Sequence, residues 1–240
     1  MANQFSITIN NRSNSPQRFA VFQEVPTSPR SAKNDVFTNI YLASGDIQPG
    51  HNSNAKFVVK MQYYALYGAT QQSDNGSTRV DTADSFEAKL GPSGSYIAMS
   101  SDPDGSPYFD KMAAMGKSVA TAGAFTIATD NTIKYPNAND FYIGIGAKDP
   151  KSNDVVPIQT YVAKGGMNLK IYPKPIYHVC YGDYEPGTIV DRQGVGQVLT
   201  VDFSDASLRD AKFTLNNSGS YVDGNVKNSG IVFKQGELSI

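Results

Sequence analysis

The sequence predicts an all-β fold: an antiparallel two-sheet β-sandwich of jelly-roll type, with at most one short helix. Three observations predict it. The dominant period of apolar residues is two, the spacing of a strand with one buried face. Turn signals rich in Gly, Pro, Asn and Asp recur every 8–15 residues or so, the spacing of a sandwich or barrel. The 240 residues hold a single cysteine, so no internal disulfide can form and a packed core must hold the fold. No fixed repeat or long linker divides the chain, which reads as one domain over residues 1–240.

The elements follow in order. "QFSITIN" alternates Phe5, Ile7 and Ile9 with polar partners, "NNRSNSP" turns, and "RFAVFQEV" returns, an expected opening hairpin. Residues 27–35, "TSPRSAKND", read as a loop, and "VFTNIYLA" resumes the strand pattern. "AKFVVKMQYYALYG" is the clearest strand, with Ala55, Phe57, Val59, Met61 and Tyr63 on one face. Further strands are expected at 86–90, 95–101, 125–129, 141–147, 155–163, 169–172, 176–182, 198–203, 211–215 and 231–234. Only 109–120, "FDKMAAMGKSVA", leans helical, with Met112 and Met115 three apart.

Charge is sparse and balanced, 21 basic against 22 acidic residues and 18% in all. No cluster of Lys and Arg suggests nucleic-acid binding, and no apolar stretch is long enough for a transmembrane helix. A net charge of −1 gives little colloidal repulsion and favours association. The amino terminus lacks a basic segment followed by an apolar one, so the cytoplasm is the default compartment, with release by another route left open. The Asn-X-Ser triplets at Asn11, Asn75 and Asn216 are therefore read as turns.

The segments that could carry chemistry have plainer readings. His178 and Cys180 stand two apart in "IYHVCYGDY". On a strand they share a face with roots about 6–7 Å apart, and nothing nearby supplies an oxyanion hole or an orienting third group. The stretch reads as a buried strand, and no catalytic residue is assigned. Asp102, Asp104 and Asp110 surround Gly105 without EF-hand spacing, so "SDPDGS" reads as a turn. "GIGAKD", "GVGQV" and "LGPSGS" match no phosphate-binding loop and read as turns and close strand packing. His51 reads as a loop residue, and neither a metal nor a cofactor is indicated.

Fourteen tyrosines and no tryptophan leave one open feature. Tyrosine is a preferred strand residue, and it can also stack on sugars beside Asp and Asn. "MQYYALYG" and "CYGDYEPG" are where ligand contact is expected, through Tyr63, Tyr64, Tyr67, Tyr181, Asp183 and Tyr184.

The opening "FSITINNRSNSPQRFAVFQEVP", the "IQPG" before a Tyr-rich strand, and "NDFYIGIGAKD" followed by "IYHVCYGDYEPGTIVD" resemble the RhiA family over most of the chain. That family is associated with bacteria living around plant roots. Its matching motifs are strand and turn patterns, so the resemblance implies a β fold and assigns no functional residue. "SDPDGSPYFDKMAAMGKSVATAG" departs from it as an insertion. The amino-terminal segment is also similar, over a shorter stretch, to the aegerolysins, small lipid-binding β-sandwiches. Together these readings lead to two expectations. The first is a non-enzymatic structural or interaction protein that associates with itself as a homo-oligomer, an ordered assembly or an inclusion. The alternative is a carbohydrate- or surface-ligand-binding module.

Overall fold

The alternating residues of the first strand show how the core is filled. Ile7 and Ile9 of β1 (Gln4–Asn11) are fully buried, and truncating either to Ala removes about 2–5 kcal/mol of packing. The structure is a computed structural model that describes residues 4–23, 36–73, 76–136, 141–191 and 195–237. Those residues form nineteen strands, numbered along the chain, and one short helix. The fold is all-β as the periodicity predicts.

The strands fall into four sheets, where two were expected. The first pairs β1 with β5 (Asn54–Lys60) on one side and β17 (Asp210–Leu215) on the other, with β18 (Tyr221–Asp223) beyond. The second runs β19 (Val232–Gly236), β16 (Val198–Asp202), β15 (Ile176–Tyr181), β2 (Phe19–Gln23) and β4 (Ile40–Ala43). The third runs β3 (Val36–Thr38), β13 (Val155–Val162), β12 (Phe141–Lys148), β6 (Tyr63–Gln72) and β7 (Thr78–Ala88). The fourth holds β10 (Ser118–Val119), β8 (Gly94–Ser101), β11 (Phe125–Thr129) and β14 (Asn168–Ile171), with β9 (Pro107–Phe109) on β8. Two pairings, β1 with β17 and β8 with β11, are parallel. Alternation reports which face is buried and is blind to the partner, so sheet number and strand direction lay outside its reach.

Three local expectations change. β1 and β2 form no hairpin, because they belong to different sheets. Asn11 fixes the turn between them: its side-chain amide donates to Ser15 O at 3.0 Å and Ile47 O at 2.7 Å, while its oxygen accepts the Ser13 amide at 3.0 Å. The expected long strand breaks at Met61 and Gln62, where the chain leaves the first sheet as β5 and enters the third as β6. The helix shrinks to α1 (Lys111–Ala114), capped by Asp110, whose carboxylate accepts the Ala113 amide at 2.9 Å. The loop expected at 27–35 lies outside the described residues.

The turn readings hold where they are described. Asp102 accepts the Ser106 amide at 2.8 Å, and Asn216 accepts the amides of Ser218 and Ser220, each at 3.0 Å. These are side-chain-closed turns of the type Asx residues favour. Asn75 lies outside the described residues.

The main core draws side chains from all four sheets, among them Ile7, Val179, Ile143 and Ile127. The central strands of the second sheet, β2 and β15, are buried on both faces. The sheet's inner face sends Phe19, Val21, Tyr177 and Leu199 into that core. Its outer face carries Ala20, Phe22, Cys180 and Val198, covered by Val190 and Val195. This two-sided burial explains why "FAVF" and "YHVCY" are apolar runs with few polar interruptions. Phe5 meets Phe203 at 4.6 Å and Phe213 meets Phe233 at 5.2 Å, so the first and second sheets touch through aromatic side chains.

Candidate functional site

The pair that first suggests chemistry is buried. Cys180 is 1% exposed, and its Sγ lies 3.9 Å from the carbonyl of Ala20. Burial pushes the thiol from 9.0 up to about 12, away from the thiolate a nucleophile requires. His178 stacks on Phe22 at 4.9 Å, and its Nδ1 shares a 3.0 Å hydrogen bond with Thr200 Oγ1. The strand reading of this stretch holds.

The six residues expected to touch a ligand divide between two sheets. Tyr63 and Tyr64 on β6 are buried. The Tyr63 hydroxyl accepts Gln23 Nε2 at 3.0 Å, and burial raises its pKa. Lys148 Nζ stands 5.7 Å from the Tyr64 ring centre. Tyr67 is half-buried and leans on Phe109 at 5.4 Å. Tyr181 and Tyr184 are half-buried at the end of β15. The Tyr184 ring covers the backbone of Gly182 so closely that a Cβ there would lie 2.6 Å from it. Asp183 keeps 64% of its side chain in solvent and pairs with Arg18, which also holds Asp46 at 2.7 Å. Hydrogen bonding from Arg18 keeps the Asp46 carboxyl below its ordinary range. No local sequence signal marks Arg18; its position opposite two aspartates comes from the meeting of three loops.

The residues after Tyr184 form a strap. Gly187 N donates to Ile40 O at 2.7 Å, and Ile40 N donates to Thr188 O at 2.8 Å. On the other side Val80 N donates to Gly187 O at 3.0 Å, and Ile189 N donates to Thr78 O at 2.9 Å. "EPGTIV" thereby satisfies the outer edges of β4 and of the first residues of β7, with Arg79 and Glu185 paired at 3.0 Å beside it.

Among the described residues, no main-chain hydrogen bond covers the outer edge of β19. All five residues of β19 are exposed, with Val232 at 65% and Phe233 at 37%. Val222 of the neighbouring β18 is 50% exposed, and Tyr221 N donates to Gln235 Oε1 at 2.8 Å across the gap between the two strands. Together they make an exposed apolar seam at the ends of two sheets. The sequence placed a strand at 231–234, and the exposure of both its faces follows only from its place at the end of a sheet. A depression of about 510 Å³ runs beside the opposite kind of edge, on β7, lined by Asp81, Asp84 and Asp154. A smaller groove, about 190 Å³, separates β4 from β5. Among the described residues no group of three His, Cys, Asp or Glu is placed to hold a metal ion, and no helix is long and apolar enough to cross a membrane.

No curated protein and no solved structure matches this chain. The model of one family, RhiA, matches residues 2–223. The strand-and-turn motifs that carried the resemblance fall inside that span, β19 lies beyond it, and the chain belongs to the RhiA family.

Proposed function

We propose that this protein is a non-enzymatic structural protein that associates with itself through open sheet edges. The observation that carries this reading is β19, a terminal strand whose every residue is exposed and which bears Val232 and Phe233. An exposed apolar edge is a template for pairing with another chain, and proteins that stay solitary blunt such edges with charge, proline or a covering loop. β19 has one lysine. The near-zero net charge offers little repulsion to hold copies apart. In the same reading the first and second sheets are the two layers of a sandwich, in contact through Phe5 with Phe203 and Phe213 with Phe233, and β18 and β19 close one side of it.

Sedimentation velocity from low to high micromolar protein, in low and moderate salt, tests the proposal. The expected result is a mass that rises with concentration, and ordered inclusions in electron micrographs of expressing cells. A monomer at every concentration overturns it.

A second reading, a carbohydrate-binding module, rests on Tyr181 and Tyr184 flanking the solvent-facing Asp183. Half-open rings beside a carboxylate suit a sugar face and its hydroxyls. A glycan array screened with wild-type protein and Asp183→Ala separates the readings: a signal lost in the variant supports binding, and a blank array removes it.

A further inference from the structure

The outer strands differ in charge. β5, β14 and β19 carry only lysines: Lys56 and Lys60, Lys170, and Lys234. β7 is the longest strand and has Asp81, Asp84 and Glu87, with Asp81 already 3.0 Å from Arg79. The strap's main-chain bonds to β7 are at Thr78 and Val80. Beyond them Thr82 Oγ1 donates to Val155 O at 2.7 Å, and Ala83, Asp84, Phe86 and Glu87 are exposed on the outer strand of the third sheet. Two copies of β19 meeting antiparallel about Lys234 would set like charges opposite each other, which is destabilising. The acidic edge of β7 is the complement.

Building on the self-association reading, we infer that β19 of one copy pairs antiparallel with the edge of β7 in a second copy, Lys234 opposite Asp84 and Val232 opposite Phe86. Side chains on a strand alternate between faces, so Val232 and Lys234 share one face and Asp84 and Phe86 share another. In antiparallel pairing, moving two residues forward on one strand moves two residues back on its partner. A single register therefore makes both the charged and the apolar match, and a slip of one residue loses both. The remaining side chains of β19 are already occupied: Phe233 rests on Phe213 at 5.2 Å, and Gln235 accepts the Tyr221 amide. On β7, Asp84 accepts the Ser85 amide at 2.7 Å, and Phe86 rests on Phe109 at 5.8 Å while keeping 39% of its surface exposed. Main-chain hydrogen bonds supply the affinity of such an added strand, and side-chain pairs choose its register. The contact is head-to-tail. Each copy in a pair keeps one unused edge, so growth continues until a ring closes or a filament forms.

Sedimentation equilibrium on wild type, Lys234→Asp, Asp84→Lys and the double variant tests the register. Each single variant is expected to weaken association roughly fivefold at low salt, and the double variant to return to within about twofold of wild type. Oxidising a mixture of Val232→Cys and Phe86→Cys protein is expected to give a disulfide between the two species, with buried Cys180 taking no part. If wild type assembles while the charge variants assemble equally well, or the double variant fails to recover, this register is wrong and self-association stands. A monomeric wild type removes both.

Discussion

The carbonyl of Gly187 accepts the amide of Val80 at 3.0 Å, and a Cβ on that glycine would lie 2.7 Å from the carbonyl oxygen of the same valine. The two backbones are thus as close as a hydrogen-bonded strand pair can be. Gly187 also has a φ of +88°, which residues with side chains rarely adopt. Gly187→Ala is expected to destabilise the fold by about 1–3 kcal/mol. Hydrogen exchange should quicken at Val80 and Ile40, the two amides the strap holds. An unchanged urea midpoint would show that the strap contributes nothing to stability.

A harsher result is expected in "GIGAKD". A Cβ on Gly144 would sit 2.1 Å from the carbonyl of Gln159, and one on Gly68 would sit 1.8 Å from that of Asp81. Both clashes are with the neighbouring strand's backbone, next to bulges in the pairings of β12 with β13 and of β6 with β7. Gly144→Ala and Gly68→Ala should therefore give little folded protein. Gly45, with nothing within 4 Å of an added Cβ, is the control. Gly45→Ala should stay within about 0.5 kcal/mol of wild type. Circular dichroism and urea unfolding of the three variants decide the matter.

Those glycines mark where the sequence was readable. Close strand approach was the expected role of "GIGAKD", because no helix follows to hold a phosphate. The buried face of β1 and the strand carrying Cys180 were readable too, since burial writes itself into alternation and apolar runs. Pairing does not. β1 lies beside β17, some two hundred residues along the chain, and no local pattern announces it. The break at Met61 and Gln62 has no Gly or Pro to signal it, and the Val59, Met61, Tyr63 alternation runs straight through. Exposure at β19 depends on which strand ends the sheet. Tyr63 and Tyr64 went into the interior for a related reason: a tyrosine that bridges core and water has the same sequence signature as one that awaits a ligand.

Cys180 should behave as a small apolar side chain. A thiol reagent is expected to leave it unmodified in the native protein and to label it fully in denaturant. Rapid native labelling would contradict its burial between Ala20, Phe22 and Val198. Cys180→Ser places a hydroxyl in that apolar site and should cost about 1–3 kcal/mol, more than Cys180→Ala.

Alkali is expected to unfold the protein through groups that burial keeps protonated. The Cys180 thiol rises from 9.0 to about 12, and burial lifts the phenols of Tyr41, Tyr161, Tyr177 and Tyr221 above their ordinary 10.0. Each group binds its proton more tightly when folded than when unfolded. The stability this contributes is complete below the unfolded pKa and is lost as pH climbs towards the folded value. The window opens near pH 9 for the thiol and near pH 10 for the phenols. Within it the slope approaches about 1.4 kcal/mol per pH unit for each group. Urea midpoints should therefore be level from neutral pH to the start of the window and fall steeply beyond it. Tyrosinate absorbance from the buried rings should appear together with unfolding rather than ahead of it. Ionisation of all fourteen tyrosines in a still-folded protein would mean that those rings are open to water.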